Sequence, residues 1–257
     1  MPSDKAVCLI TGGARGIGAA TAGEFAAQGY ATVVADILDE GQALCDDINA
    51  QGQEALFLRC DVAREDQVKA VVKAVVEGYA RIDVLVNNAG VVLVKPLTDI
   101  QWEEFRRVVD TNLGGTFLFC KHVLPVMQAR RHGSIVNMAS VSGHVGQTDH
   151  AVYGSTKGAI LALTRALAWE VAPYNIRVNS ISPGSVDTPM LRGDIEIESK
   201  ATGLPYADVK AKREKEQAFG RWADPSEIAR AVYFLAGDGA SFVTGADLLV
   251  DCGWVAK

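Results

Sequence analysis

Seven short apolar runs rich in β-branched residues punctuate this chain, and stretches with helical spacing separate them. The runs are AVCLIT at 6–11, ATVVAD at 31–36, ALFLRC at 55–60, IDVLVNN at 82–88, GSIVNMAS at 133–140, IRVNSIS at 176–182 and ADLLVD at 246–251. They lack the polar alternation of half-exposed strands, so each reads as a strand buried on both faces. Helical patterns lie between them, as at 19–28, 65–79, 101–128, 153–171 and 226–236. Strands alternating with helices build a parallel sheet with helices on both faces. The expected fold is α/β, a doubly wound, seven-stranded parallel sheet.

The 257 residues suffice for one large α/β domain or two small ones. No Pro/Gly/Ser-rich linker, repeat or low-complexity tract interrupts the alternation, so a single domain over 1–257 is expected. The segment 191–219 departs from the pattern and contains the highly charged stretch YADVKAKREKEQAF. It reads either as a solvated surface helix or as a lid over a site at the carboxyl ends of the strands.

Composition narrows the function classes. A net charge of −6 without basic runs argues against nucleic acid as a partner, because phosphate binding needs a basic surface. No apolar stretch approaches membrane-spanning length and the first residues lack a secretory pattern, so neither a membrane nor a leader is expected. Five scattered cysteines without C-x-x-C or Cys/His spacing indicate neither a disulfide framework nor a metal site, and a reducing cytoplasm is the expected home.

The first strand runs into TGGARGIG at 11–18. Gly12, Gly16 and Gly18, spaced G-x-x-x-G-x-G between strand and helix, suit a turn where backbone approaches a pyrophosphate at a helix N-terminus. A tight strand-to-helix turn also wants glycine. Asp36 ends the second strand, where a carboxylate accepts hydrogen bonds from free ribose hydroxyls and repels a 2′-phosphate, favouring NAD over NADP. Arg15 pulls the other way, since it can pair with that phosphate. Further on, AVYGSTKGAI at 151–160 sets Tyr153 four residues before Lys157, on one face of a helix.

With NNAG at 87–90, NLGG at 112–115, Ser140 in NMASVSG, YGSTK at 153–157 and PGSVDT at 183–188, the whole chain resembles the short-chain dehydrogenase/reductase family. The resemblance implies a Rossmann-like fold and a catalytic tetrad of Asn112, Ser140, Tyr153 and Lys157. A free tyrosine is too weak a base near neutral pH; the Lys157 ammonium and the positive nicotinamide of an oxidised cofactor favour the phenolate. Ser140 is expected to hold the substrate oxygen against Tyr153, its alternative being a loop cap. Asn112 is expected to bend its helix and hold a water linking Lys157 to solvent; otherwise it is a mid-helix asparagine with its side chain in solvent.

The resemblance also implies cofactor contacts from Gly12, Arg15, Gly16, Ile17 and Gly18, from Asp61 near the adenine amino group and Val62, and from Asn88, Ala89 and Gly90. Tyr153, Lys157, Pro183, Gly184, Val186 and Thr188 join them, with Lys157 at the nicotinamide ribose and Val186 and Thr188 holding the carboxamide. PGSVDTP is alternatively a proline-bounded turn. Ser142, His144, Gln147 and His150 are the candidate substrate contacts, beside Val92 to Val94, Met190, Leu191 and Arg192; each histidine is alternatively a loop residue. Cys252 stands where the family usually has glycine.

The expected activity is NAD-dependent interconversion of a secondary alcohol and its ketone, with a polyol, sugar or cyclic diol as the favoured small-molecule substrate. The rivals are an NADP-dependent carbonyl or 3-oxoacyl reductase and a catalytically silent dinucleotide-binding regulator. A homotetramer is implied, with the helices at 101–128 and 153–171 packing against partners and the last strand and its tail in another contact.

Overall fold

The computed structural model describes residues 4–256; the remaining ends of the 1–257 domain expected from sequence lie outside the described residues. Seven strands, β1 (Val7–Thr11), β2 (Ala31–Asp36), β3 (Glu54–Arg59), β4 (Val84–Asn87), β5 (Gly133–Met138), β6 (Ile176–Pro183) and β7 (Asp247–Val250), form one sheet in the order β3-β2-β1-β4-β5-β6-β7. Every pairing is parallel. All residues of β1, β2, β4 and β5 are buried, whereas the edge strands β3 and β7 are partly exposed, which is why the central runs read as continuous apolar segments. The fold is Rossmann-like and doubly wound.

Strand pleating divides the core in two. Val7 and Leu9 of β1 face a cluster that includes Phe119, Val123 and Met127 of α5 (Gly115–Arg130), together with α3 (Glu65–Tyr79) and α6 (Ala151–Val171). Cys8 and Ile10 face the opposite cluster, built on Phe25 of α1 (Gly16–Ala27), Cys45 and Ile48 of α2 (Glu40–Ala50), and Ile228 and Val232 of α9 (Pro225–Ala236). Buried Asp83 ties the layers at one end: it accepts the Val7 N–H at 2.8 Å and a bidentate pair from Arg81 at 2.7 Å.

The helix expected over 101–128 is not continuous. It runs as α4 (Trp102–Val109), a π-helical turn over Asp110–Gly114, and α5. That wide turn accommodates Asn112, whose side chain bonds outside the helix. The charged segment folds as α7 (Pro189–Thr202) and α8 (Tyr206–Glu214), which bury Ile195 and Val209 with Trp222 in a small core of their own.

Candidate active site

Strand order reverses between β1 and β4, and the carboxyl ends of the strands open there into a cleft of about 770 Å³. Gly12 and Gly16 adopt left-handed backbone at φ +63° and +56°. A Cβ at Gly12 would stand 2.6 Å from the Ala89 Cα, and one at Gly18 would stand 2.1 Å from the Gly12 carbonyl oxygen. The Asn88 amide locks this arrangement, donating to the carbonyls of Thr11 at 3.1 Å and Gly12 at 2.7 Å. Among the described residues no side chain caps the first turn of α1, so its N–H groups remain for an anion. A backbone cradle that no Cβ can enter, with free helix donors, fits the pyrophosphate of a dinucleotide.

Gly12, Gly16 and Ile17 line the cleft, and Gly18 lies behind them against Gly12. Asp36 is buried at the end of β2, accepting the N–H groups of Ala14 at 2.9 Å and Leu38 at 3.0 Å. Arg15 also borders the cleft, with its Nε 4.0 Å from the Glu40 carboxylate. Asp61 and Val62 follow β3 along the wall, and Asn88, Ala89 and Gly90 follow β4. Pro183, Gly184, Val186 and Thr188 close the far side.

Ser140, Tyr153 and Lys157 meet at the other end of the cleft, Ser140 after β5 and the pair one turn apart on α6. Lys157 is buried, donating to the Met138 carbonyl at 2.8 Å, with its Nζ 5.6 Å from the centre of the Tyr153 ring. The packing of its backbone leaves no room for a side chain at Gly143, where a Cβ would lie 2.9 Å from the Lys157 carbonyl carbon. Ser140 accepts the Ser142 N–H at 3.2 Å and interacts with Tyr153 in the sense that favours phenolate.

Asn112 does not reach solvent. Its Oδ1 accepts the Val91 N–H at 2.8 Å while its Nδ2 donates to the Val91 carbonyl at 2.9 Å and Thr156 Oγ1 at 3.2 Å. The side chain thus holds the loop after β4 against α6, one turn of which carries Tyr153 and Lys157. It stands behind the cleft wall, beside Gly90.

Burial dominates both members of the pair, pushing the Tyr153 hydroxyl up to about 12 and the Lys157 ammonium down to about 8. Desolvation penalises both charged forms, whereas the expected fall of the Tyr153 hydroxyl rests on Lys157 together with the positive nicotinamide of a bound oxidised cofactor.

The expected substrate contacts separate. Ser142, Gln147 and His150 line the cleft, with Ser142 bonded to the Gln147 amide oxygen. His144 does not line it: its Nε2 lies 2.9 Å from Asp247 and 3.1 Å from Ser182, binding the loop to β6 and β7. The 3-10 turn after Ser140 swings that ring to the sheet. Arg192 pairs with Asp187 at 2.7 Å on the exposed side of α7, while Met190 and Leu191 line the cleft. Sequence reasoning did not single out Asp194, Arg213 or Trp254, all of which line the cleft. Asp194 was detectable as the fourth residue after Met190, on the same helical face.

Fold and cleft are those of an oxidoreductase working with a nicotinamide dinucleotide. A family model described as Enoyl-(Acyl carrier protein) reductase matches residues 12–255. The chain belongs to the short-chain dehydrogenase/reductase family, whose members interconvert alcohols and ketones. It is 41% identical over 251 residues to a cis-4-hydroxycyclohexanecarboxylate dehydrogenase of Sinomonas cyclohexanicum, covering 97% of this chain and 96% of that one. It is 39% identical over 252 residues to a 2,5-dichloro-2,5-cyclohexadiene-1,4-diol dehydrogenase of Sphingobium indicum, covering 96% of each. Among solved structures, a single-substitution variant of actinorhodin polyketide ketoreductase with NADPH superposes with a TM-score of 0.96 at 34% identity, covering 100% of both chains.

Proposed function

We propose that this protein is an NAD-dependent dehydrogenase that oxidises a secondary alcohol of a small polyol, sugar or cyclic diol, or reduces the corresponding ketone. The observation that carries the reading is the convergence of Ser140, Tyr153 and buried Lys157 on one end of a cleft whose other end has a glycine cradle and Asp36. A dinucleotide bound there supplies the hydride acceptor, or in reduction the donor. The Tyr153 hydroxyl exchanges the proton of the substrate oxygen, and Ser140 holds that oxygen beside it. Lys157 is held by Met138 next to Tyr153, and Asn112 fixes the loop and helix that frame them.

Cofactor preference rests on charge at the end of β2. Asp36 opposes a 2′-phosphate, and Glu40 stands near Arg15, the residue able to pair with one. NADP-dependent reduction of a carbonyl or 3-oxoacyl group is the second reading, favoured by the likeness to a ketoreductase solved with NADPH. A silent dinucleotide-binding regulator has no such support. The segment 191–219 serves as a lid over the substrate end, where Leu191 lines the cleft. A single domain, a homotetramer and a reducing cytoplasm, suited to five free thiols, complete the reading.

The test is absorbance at the reduced-nicotinamide band while secondary alcohols, cyclic diols, polyols and sugars are offered with NAD and, separately, with NADP. Turnover with NAD on one of these classes is expected. Turnover confined to NADP moves the second reading to first place, and cofactor binding without turnover revives the regulator.

A further inference from the structure

Helix α7 turns one face toward the substrate end of the cleft. Met190, Leu191 and Asp194 occupy positions i, i+1 and i+4 and all line it. The rotation of the helix is fixed: the Thr188 hydroxyl accepts the Leu191 N–H at 3.3 Å, and Ile195 is fully buried against Val209, Trp222 and Leu191. Asp194 is therefore held at the cleft wall by its neighbours.

Its carboxylate accepts no hydrogen bond from the described residues. The nearby cation, Arg213, is itself engaged by Glu198 at 2.8 and 2.9 Å. Burial pushes the acid up to about 6, with Arg213 opposing the shift. Its charge also works against ionisation of Tyr153. A carboxylate in this position disfavours both itself and the base, unless the ligand brings a donor. Carboxylates only accept hydrogen bonds, so the ligand group that fits is a hydroxyl or an ammonium. A hydroxyl is the better match, since Arg213 already supplies positive charge and Ser142, Gln147 and His150 offer further uncharged or weakly basic polar groups in the same cleft.

We infer that Asp194 is a specificity-determining residue whose carboxylate accepts a hydrogen bond from a second hydroxyl of the substrate. The site then takes ring diols and polyols ahead of simple cyclic alcohols and turns away substrates bearing a carboxylate at that place. This rests on the dehydrogenase reading above. It also separates this chain from the Sinomonas cyclohexanicum relative, whose named substrate carries a carboxylate.

The experiment compares kcat/KM for cyclohexanol, the cyclohexane-1,2-, 1,3- and 1,4-diols, and cis-4-hydroxycyclohexanecarboxylate, in the unaltered protein, Asp194→Asn and Asp194→Leu. The unaltered protein is expected to prefer its best diol over cyclohexanol by about tenfold or more, since a site built to bind a hydroxyl rejects the analogue lacking it. Asp194→Leu is expected to lower the diol-to-cyclohexanol ratio by about tenfold, mainly through KM. Asp194→Asn, which still accepts through its amide oxygen, is expected to keep part of the ratio and to gain on the carboxylate substrate. If Asp194→Leu does not fold, Asp194→Asn and the ranking in the unaltered protein decide. A ratio untouched by substitution, or an unaltered protein that prefers the carboxylate to every diol, overturns the role of Asp194 and leaves the dehydrogenase reading standing. No turnover of any alcohol by the unaltered protein with either dinucleotide overturns both.

Discussion

The Tyr153 hydroxyl faces opposite demands in the two directions of the reaction. Oxidation needs it ionised to take a proton; reduction needs it protonated to give one. Burial holds it up to about 12, so near neutral pH the protonated form prevails and the scarce form is the one oxidation uses. The kcat/KM for oxidation is therefore expected to climb with pH, by about tenfold per unit while the governing group stays mostly protonated, whereas that for reduction stays flat over the same range. Rates in both directions from about pH 6 to 9 check this sign. Tyr153→Phe removes the proton exchange and should lower turnover by about 10² to 10⁴-fold. Dinucleotide binding, followed by fluorescence titration, should survive that change, because the glycine cradle and Asp36 are untouched.

Elements set the precision of the site. The glycine loop, the loop after β4 and α1 meet at contacts that only glycine permits, with the Gly18 Cα directly behind the Gly12 carbonyl. Gly18→Ala would force a methyl group within 2.1 Å of that carbonyl oxygen and 2.6 Å of the Asn88 amide. The expected result is a loss of about 1–3 kcal/mol in stability, read by denaturant unfolding. A fall of about tenfold or more in dinucleotide affinity should accompany it, because the displaced backbone is what faces the pyrophosphate. Elsewhere the chain closes element ends with charge: the Arg177 guanidinium donates to the carbonyls of Leu235, Ala236 and Gly237 at 2.7 to 3.1 Å, terminating α9 where the helix dipole favours a cation.

On the scale of the whole molecule, large apolar side chains stand exposed on the helices that the family resemblance assigns to subunit contacts. Trp102 of α4, Phe117 of α5 and Trp169 of α6 are 65%, 51% and 86% exposed. Aromatic residues at this exposure, on adjacent helices, are what an interface covers. Sedimentation at micromolar concentration is expected to show a tetramer, and Trp169→Glu to shift it toward smaller species without unfolding the chain. A monomer in the unaltered protein would contradict the assembly.

The apolar runs and the segments between them determined the sheet, its parallel sense and its two helical layers, because a strand buried on both faces has no polar positions to hide. The motifs likewise placed Ser140, Tyr153 and Lys157, since local spacing on one helix and one strand end is a property of sequence. Tertiary structure decided what depends on neighbours distant in the chain. Asn112 proved to clamp Val91 and Thr156 through a π-helical turn, and His144 bonded Asp247, 103 residues away. Desolvation, which no local pattern records, pushes the Tyr153 hydroxyl up and the Lys157 ammonium down. Asp194 stands four residues after Met190 in the sequence, but only the packing of Ile195 fixed which face of its helix meets the cleft.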